Sequence, residues 1–328
     1  MILSGDIGGT KTLFGLSISD TKRTVLQDIR RFVTSEFDSF GSILSEFLRG
    51  IENRNEIEAA CFGVAGPVRE QAVQLTNIPW KIDAKEVAEQ LAIPRVRLLN
   101  DLEAMGYAIS MITDEQLTIL QSGKCIKTGN AALIAPGTGL GEVLLHNTGS
   151  HFIPIPSEGG HADFSARTPS EHALAKELTN RFGRVSYEQV LSGPGLINLY
   201  LFLHGGKDCV AIPSNTPHNK LPTLISTAGL ERRCKQCTET LNLFVSALGA
   251  EAGNLGLRSV ATAGLYLGGG IPKKILPALQ SSIFLDAFRA KAPMHRLVEE
   301  MPVSVILEDR AALLGAAVAA WDLTKTQS

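Results

Sequence analysis

Asp6-Ile7-Gly8-Gly9-Thr10-Lys11-Thr12 lies between two apolar runs, ILSGD before it and TLFGLSIS after it. Residues 1 to 19 thus read as strand, glycine-rich turn, strand, with a charged turn over Asp20, Thr21, Lys22 and Arg23 to follow. Glycines at such a tip let backbone N–H groups approach a phosphate closely. Lys11 and the hydroxyls of Thr10 and Thr12 add donors, and Asp6 is placed to hold a Mg2+ ion through water, because that ion dehydrates reluctantly. The spacing is neither that of a Walker loop nor the G-x-G-x-x-G of a dinucleotide fold. A lone Gly-Gly turn is most simply a tight hairpin. This one recurs: Asn130 to His146 repeats strand, turn and strand around Gly137-Thr138-Gly139-Leu140-Gly141. Two such tips predict a clamp for a polyphosphate.

Working outward, apolar spacing predicts a helix at about Phe37 to Asn53, a strand at Glu58 to Val64 that stops at Gly66-Pro67, and a helix over Ala84 to Leu91. The strand RVRLLND ends at Asn100-Asp101, which puts two polar side chains where a strand leaves its sheet, a common ligand position in α/β proteins. A second unit starts near residue 112. Helices are expected at Ser170 to Phe182, Tyr187 to Leu191 and Gly195 to Phe202, a surface loop over residues 204–222, and a long helix near Leu230 to Leu255. Strands ATAGLYLGGG and VSVILED follow, and the helix AALLGAAVAAW returns to the first unit. The expectation is two α/β lobes with a ligand cleft between them: a smaller lobe of residues 1–111 completed by 307–328, and a larger one of 112–306.

Composition narrows the functional classes. The 328 residues allow about two domains of ordinary size, and 44% hydrophobic against 20% charged residues excludes an intrinsically disordered chain. A net charge of −2 leaves no excess of positive charge for nucleic acid or anionic lipid. Five cysteines, at 61, 125, 209, 234 and 237, are too few and odd in number for a secreted disulfide framework, and the start MILSGDIGG lacks a signal sequence. The longest late apolar run, Ala311 to Trp321, is about half a bilayer span. A cytoplasmic protein with no membrane partner is expected.

Asn100-Asp101 on its own reads as a turn or helix cap. Glu158-Gly159-Gly160-His161 adds weight to a sugar site: a carboxylate and an imidazole flank two glycines in a proline-rich loop, and such groups bond well to hydroxyls. His146, His151, His172, His204, His218 and His295 have no such neighbours and read as structural. Cys234-Lys235-Gln236-Cys237 has CxxC spacing, but no second pair follows it at finger spacing, so it reads as incidental.

DIGGTKT, GVAGPV (63–68), LLND (98–101), APGTGLG, EGGH, LSGPGL (191–196) and GGG (268–270), in this order, resemble the bacterial-type glucokinase family of the sugar kinase, heat-shock protein and actin superfamily. The resemblance spans nearly the whole chain. It implies an actin-like, ribonuclease H-like two-lobed ATPase fold and ATP-dependent phosphorylation of the 6-hydroxyl of glucose. It also implies Asn100, Asp101, Glu158, His161 and Glu188 as sugar ligands, and a homodimer. Glu188 comes from the resemblance alone. A sister family, the ROK kinases and repressors, shares DIGGTK and a similar E-x-G-H but carries a cysteine-rich zinc motif soon after the histidine. Here ADFSARTPSEH follows His161, so no zinc is expected, and five residues before Asp6 leave no room for a DNA-binding helix-turn-helix.

In the mechanism these readings predict, Asp101 takes the 6-hydroxyl proton while Asn100, Glu158, His161 and Glu188 fix the sugar. Backbone N–H groups of Gly8 to Lys11 and Gly137 to Gly139 hold the phosphates, with the hydroxyl of Thr138, and Gly268, Gly269 and Gly270 let adenosine lie against backbone. Pro136 lacks an N–H, so contacts at the second tip begin at Gly137. Kinases for another hexose or an N-acetylhexosamine share this pattern, because epimers differ by one hydroxyl. A sugar- and nucleotide-binding regulator without catalysis is the reading from another class.

Overall fold

The computed structural model describes residues 1–20, 23–75, 78–93, 95–207 and 209–325. The turn expected at Thr21-Lys22 lies outside them. Two compact units are present, one of residues 1–114, 148–154 and 308–328, the other of 115–147 and 155–307.

In the first unit β1 (Ile2–Ile7), β2 (Lys11–Asp20) and β3 (Arg23–Val33) form an antiparallel meander. Next in the chain come β4 (Ala59–Val64), a small hairpin of β5 (Ala72–Gln74) and β6 (Lys81–Asp83), and β7 (Val96–Asn100). β4 pairs parallel with β1 and β7 parallel with β4, giving the sheet order β3-β2-β1-β4-β7. Helices α1 (Phe40–Leu48), α2 (Ala84–Leu91) and α3 (Asp101–Ala108) complete the stretch. One face of the sheet, carrying Leu3, Phe14 and Phe62, is covered by Phe40, Ile43, Leu44 and Phe47 of α1 and Val87 of α2. α1 is shorter at both ends than expected: Ser39 caps it through a capping box with Ser42, and its last turn closes at Arg49.

The second unit holds β8 (Leu117–Gln121), β9 (Ala131–Pro136), β10 (Leu140–Asn147), the end of β11 (Phe152–Ser157), whose first three residues fall in the first unit, α4 (Pro169–Phe182), α5 (Gly193–His204), α6 (Leu221–Leu230) and α7 (Lys235–Ser259). It continues with β12 (Gly264–Leu267), α8 (Gly270–Lys274), α9 (Leu276–Leu279), α10 (Ser282–Arg289), α11 (His295–Glu300) and β13 (Val303–Ile306). Its sheet order is β11-β10-β9-β12-β13-β8. Tyr187 to Leu191 forms turns rather than the expected helix. The long helix expected near Leu230 to Leu255 is present as α7, displaced to Lys235–Ser259, and a separate helix, α6, ends at Leu230. Arg232 breaks the path with a left-handed φ of 55°, and Cys234 starts α7 with extended backbone.

The last helix, α12 (Ala311–Lys325), belongs to the first unit and packs on α3, β1 and β4 through Ala312, Ala316, Ala319 and Ala320. Residues 148–154 also lie with that unit, although their place in the sequence assigned them to the larger lobe. The His151 Nε2 atom is 2.9 Å from a carboxylate oxygen of Asp322, and the Phe152 amide donates to Ser110 Oγ at 3.0 Å.

Candidate functional site

The first tip joins β1 to β2. Its ends are closed by the Gly8 amide donating to the Lys11 carbonyl (3.0 Å). Thr34, just past β3, braces it from the side: its hydroxyl donates to the Gly8 carbonyl (2.8 Å) and its amide to the Thr10 carbonyl (3.1 Å). These bonds correct two expectations. The Gly8 N–H is spent inside the turn, and Thr12 is fully buried with its hydroxyl bonded to that of Thr34 at 3.0 Å. Gly9, Thr10 and Lys11 remain at the surface of the tip, the latter two well exposed.

Asp6, next to last in β1, pairs across the sheet with Gly63 of β4, and Gly63 in turn with Leu99 of β7. A Cβ at Gly63 would lie 2.8 Å from that of Ala104 and 3.7 Å from the Asp101 Cα, so this glycine lets the start of α3 settle onto the strand ends. Asn100 is the N-cap of α3: its Oδ1 accepts from the Leu102 amide (2.9 Å), and Glu103 closes the capping box by accepting from the Asn100 amide (3.0 Å). Its Nδ2 donates to the Gly66 carbonyl at 3.1 Å. The plain reading of this pair as a helix cap thus holds for Asn100. Asp101 follows as the first helical residue, solvent-accessible, its Oδ1 accepting from the Leu102 amide at 2.9 Å. Desolvation by the surrounding protein raises the Asp101 carboxyl above the usual range, although the amides of Leu102 and of Asp101 itself oppose it. Asp6 is pushed up to about 6, by burial first and by the charge of Asp101 second, with Lys11 pulling the other way.

In the second unit the tip between β9 and β10 closes by the Gly137 amide donating to the Gly139 carbonyl at 2.8 Å, so this amide too is spent within the turn. The Gly137 carbonyl accepts from the Gly193 amide (2.8 Å), which ties the tip to the start of α5. Thr138 is exposed. Gly268 donates to the Ile134 carbonyl at 2.9 Å, and Gly269, with φ of 81°, runs close against Pro136. A Cβ added at Gly137 or Gly270 would meet nothing within 4 Å. Packing within the fold does not demand glycine at either position.

Glu158, His161 and Glu188 come together. The His161 Nδ1 and Nε2 atoms are each 3.9 Å from a carboxylate oxygen, of Glu188 and Glu158 respectively, with Glu158 82% and His161 55% exposed. Glu188 is half-buried and hydrogen-bonded at both ends: its amide donates to the Gly160 carbonyl (2.8 Å) and its Oε2 accepts from the Leu140 amide (3.0 Å). That oxygen lies against Gly139, where a Cβ would be only 2.5 Å from it. The glycine-threonine tip and the acid-histidine cluster therefore form one connected structure.

Beneath Gly159 lies a group that sequence reading passed over. Glu142 of β10 and Glu251 of α7, both buried, share the guanidinium of Arg258, which reaches Glu142 at 3.3 Å. Burial first and the Glu251 charge second push Glu142 up to about 8. An acid inside the apolar run LGEVLL was the available signal, since a charge facing a core needs a partner.

The first unit's β-meander with parallel strands added beside it, the repeated tip, and the acids at the strand ends define a phosphotransferase of the actin-like sugar kinase class. A profile of the glucokinase family matches residues 3–323. The glucokinase of Nostoc punctiforme is 38% identical over 340 residues, covering 98% of this chain and 98% of that one. Among solved structures, a glucokinase from an Antarctic psychrotroph superposes with a TM-score of 0.87 at 30% identity, over 98% of both chains. A Balamuthia mandrillaris glucokinase in complex with glucose shares the fold, with a TM-score of 0.76 at 21% identity over 98% of this chain and 93% of that one. The chain belongs to the glucokinase family.

Proposed function

We propose that Asp101 is the base of the reaction, and that Asn100, Glu158, His161 and Glu188 bind the sugar. As a member of its family the protein is an enzyme that phosphorylates glucose with ATP. The O6–H proton passes to an Asp101 carboxylate oxygen as O6 bonds to the γ-phosphorus. The bond from that phosphorus to the bridging oxygen breaks with its electron pair on the departing ADP. Such transfer needs alignment and charge stabilisation more than covalent work from the protein. The observation that carries the assignment is the accessible Asp101 carboxylate, fixed at the start of α3 with a raised proton affinity. A base whose pKa approaches the working pH accepts a proton most usefully.

Backbone amides of Gly9, Thr10 and Lys11 and of Thr138 and Gly139, with the hydroxyls of Thr10 and Thr138, hold the phosphates in this reading, and Gly268, Gly269 and Gly270 accommodate adenosine. The open space at Gly137 and Gly270 supports it. Asp6 fits Mg2+, which takes hard oxygen donors, and its carboxyl, kept partly protonated by burial and by Asp101, would ionise fully beside a cation. When bound, that ion neutralises charge on the transferring phosphate. The reading also includes a homodimer, which sedimentation velocity tests, and a cytoplasmic location. Among the described residues no helix is long and apolar enough to cross a membrane.

A coupled assay with ATP and a panel of glucose, mannose, fructose and N-acetylglucosamine tests the substrate. Turnover confined to glucose is expected; preference for another hexose replaces the acceptor, and binding without turnover removes the enzyme reading.

A further inference from the structure

We propose that His204, Cys209, Cys234 and Cys237 form a tetrahedral structural site for one zinc-class divalent ion. No second pair of ligands follows Cys234 and Cys237 at finger spacing in the sequence. The second pair precedes them. His204 ends α5, Cys209 stands in the loop after it, Cys234 caps the start of α7 and Cys237 lies in its first turn. The four ligand atoms all fall within 4.8 Å of one another.

Two of the ligand–ligand distances match those of a metal-centred tetrahedron. Zn–S bonds of about 2.3 Å and a Zn–N bond of about 2.0 Å at tetrahedral angles put sulfurs about 3.8 Å apart, and sulfur and nitrogen about 3.5 Å apart. The Cys209 and Cys237 sulfurs are 3.7 Å apart, and the Cys234 sulfur is 3.5 Å from His204 Nε2. A disulfide needs about 2.05 Å between its sulfurs, and all five cysteines of the chain are free.

The surroundings are those of a metal-binding histidine. His204 Nδ1 is 3.0 Å from the Tyr200 carbonyl, a bond that puts the proton on Nδ1 and leaves the Nε2 lone pair directed at the thiols. The Tyr200 ring lies against the imidazole, with centroids 4.0 Å apart, and fixes its plane. His204, Cys209 and Cys237 are buried, and Cys234 is partly so. The first turn of a 25-residue helix favours the thiolates there. Three thiolates and one neutral imidazole select a soft or borderline ion, and four protein ligands leave no open position for chemistry. As each S–metal bond forms, its thiol proton goes to solvent. The ion would pin the loop after α5 to the starts and ends of two helices. This differs from the ROK motif, which comes soon after E-x-G-H.

The test uses the purified full-length chain. Metal analysis is expected to return about one zinc per chain. Cobalt titrated into the metal-stripped protein should give the intense visible bands of a tetrahedral ion, with thiolate charge transfer in the near ultraviolet. Cys234→Ser and Cys209→Ser should each lower cobalt affinity at least tenfold. His204→Cys should keep a tetrahedral spectrum with stronger charge transfer, even if the serine variants fold poorly, and Cys125→Ser should change nothing. Three results would overturn the site: no stoichiometric metal with no tetrahedral cobalt spectrum, equal loss in Cys125→Ser, or an isolated chain whose mass shows a disulfide within the cluster.

Discussion

Asp101 does two things at one position: its carboxylate accepts from the helix that begins with it, and it raises the proton affinity of Asp6. Under the proposed assignment, Asp101→Asn nearly abolishes kcat and leaves glucose affinity within about tenfold, since the amide keeps shape and loses basicity. Steady-state kinetics with a binding titration separates the two, and a variant that keeps most of its kcat removes Asp101 as base. In the same variant the like charge beside Asp6 is gone, so Asp6 should titrate below about 6 by carboxyl NMR. Glu142 gives a stability prediction of opposite sign from an ordinary carboxylate. Its folded value of about 8 lies above 4.5, so the folded state keeps a proton that the unfolded chain releases. That contribution is complete below pH 4.5 and is lost as pH rises toward about 8. Glu142→Gln, which mimics the protonated acid, should gain on the parent by about 1 kcal/mol or more between about pH 5 and about pH 9 in urea unfolding.

At the scale of elements, the start of α3 depends on what lies behind it. A Cβ at Gly315 of α12 would overlap the Ala104 carbonyl, so Gly315→Ala should push α12 from α3 at a cost of about 1–3 kcal/mol. Denaturation measures that cost, and a fall in kcat/KM would register the accompanying shift of Asp101. Elements with clean signals were legible from sequence: Ala84 to Leu91 is a helix with the expected ends, because Asp83 caps it and Ala92 turns left-handed after it. Others were not. β3 reads as charged surface because it is an edge strand, bearing Arg30 and Arg31 and irregular near Asp28, whose φ is 47°. The gap before α7 has neither glycine nor proline at its turning residue, Arg232, so nothing in the local sequence announces it.

For the molecule as a whole, the duplicated plan seen in the glycine-threonine tips extends to the sheets. β3-β2-β1-β4-β7 and β11-β10-β9-β12-β13 follow one pattern, in which a hairpin's first strand goes on to pair in parallel with later ones. The glycine spacing differs between the copies, so the sequence shows the repeat only faintly, whereas strand order preserves it. Candidate residues legible from sequence were those in short motifs. Glu142, Glu251 and Arg258 were not, because their proximity joins positions 116 residues apart in the chain. Ligand binding should be visible globally: glucose at about 100 times its Kd stabilises the native state by about 2.7 kcal/mol. Differential scanning calorimetry should show that rise with glucose and little with N-acetylglucosamine if the acceptor is as proposed.

One oxygen of Glu188 takes the amide that follows the second tip, while the other faces His161. A hexose drawing on that carboxylate and a nucleotide drawing on that tip would pull at the same strut. Their affinities are then thermodynamically reciprocal: whatever factor one imposes on the other's dissociation constant is returned in full. Shortening the strut, as in Glu188→Asp, should bring that factor toward unity.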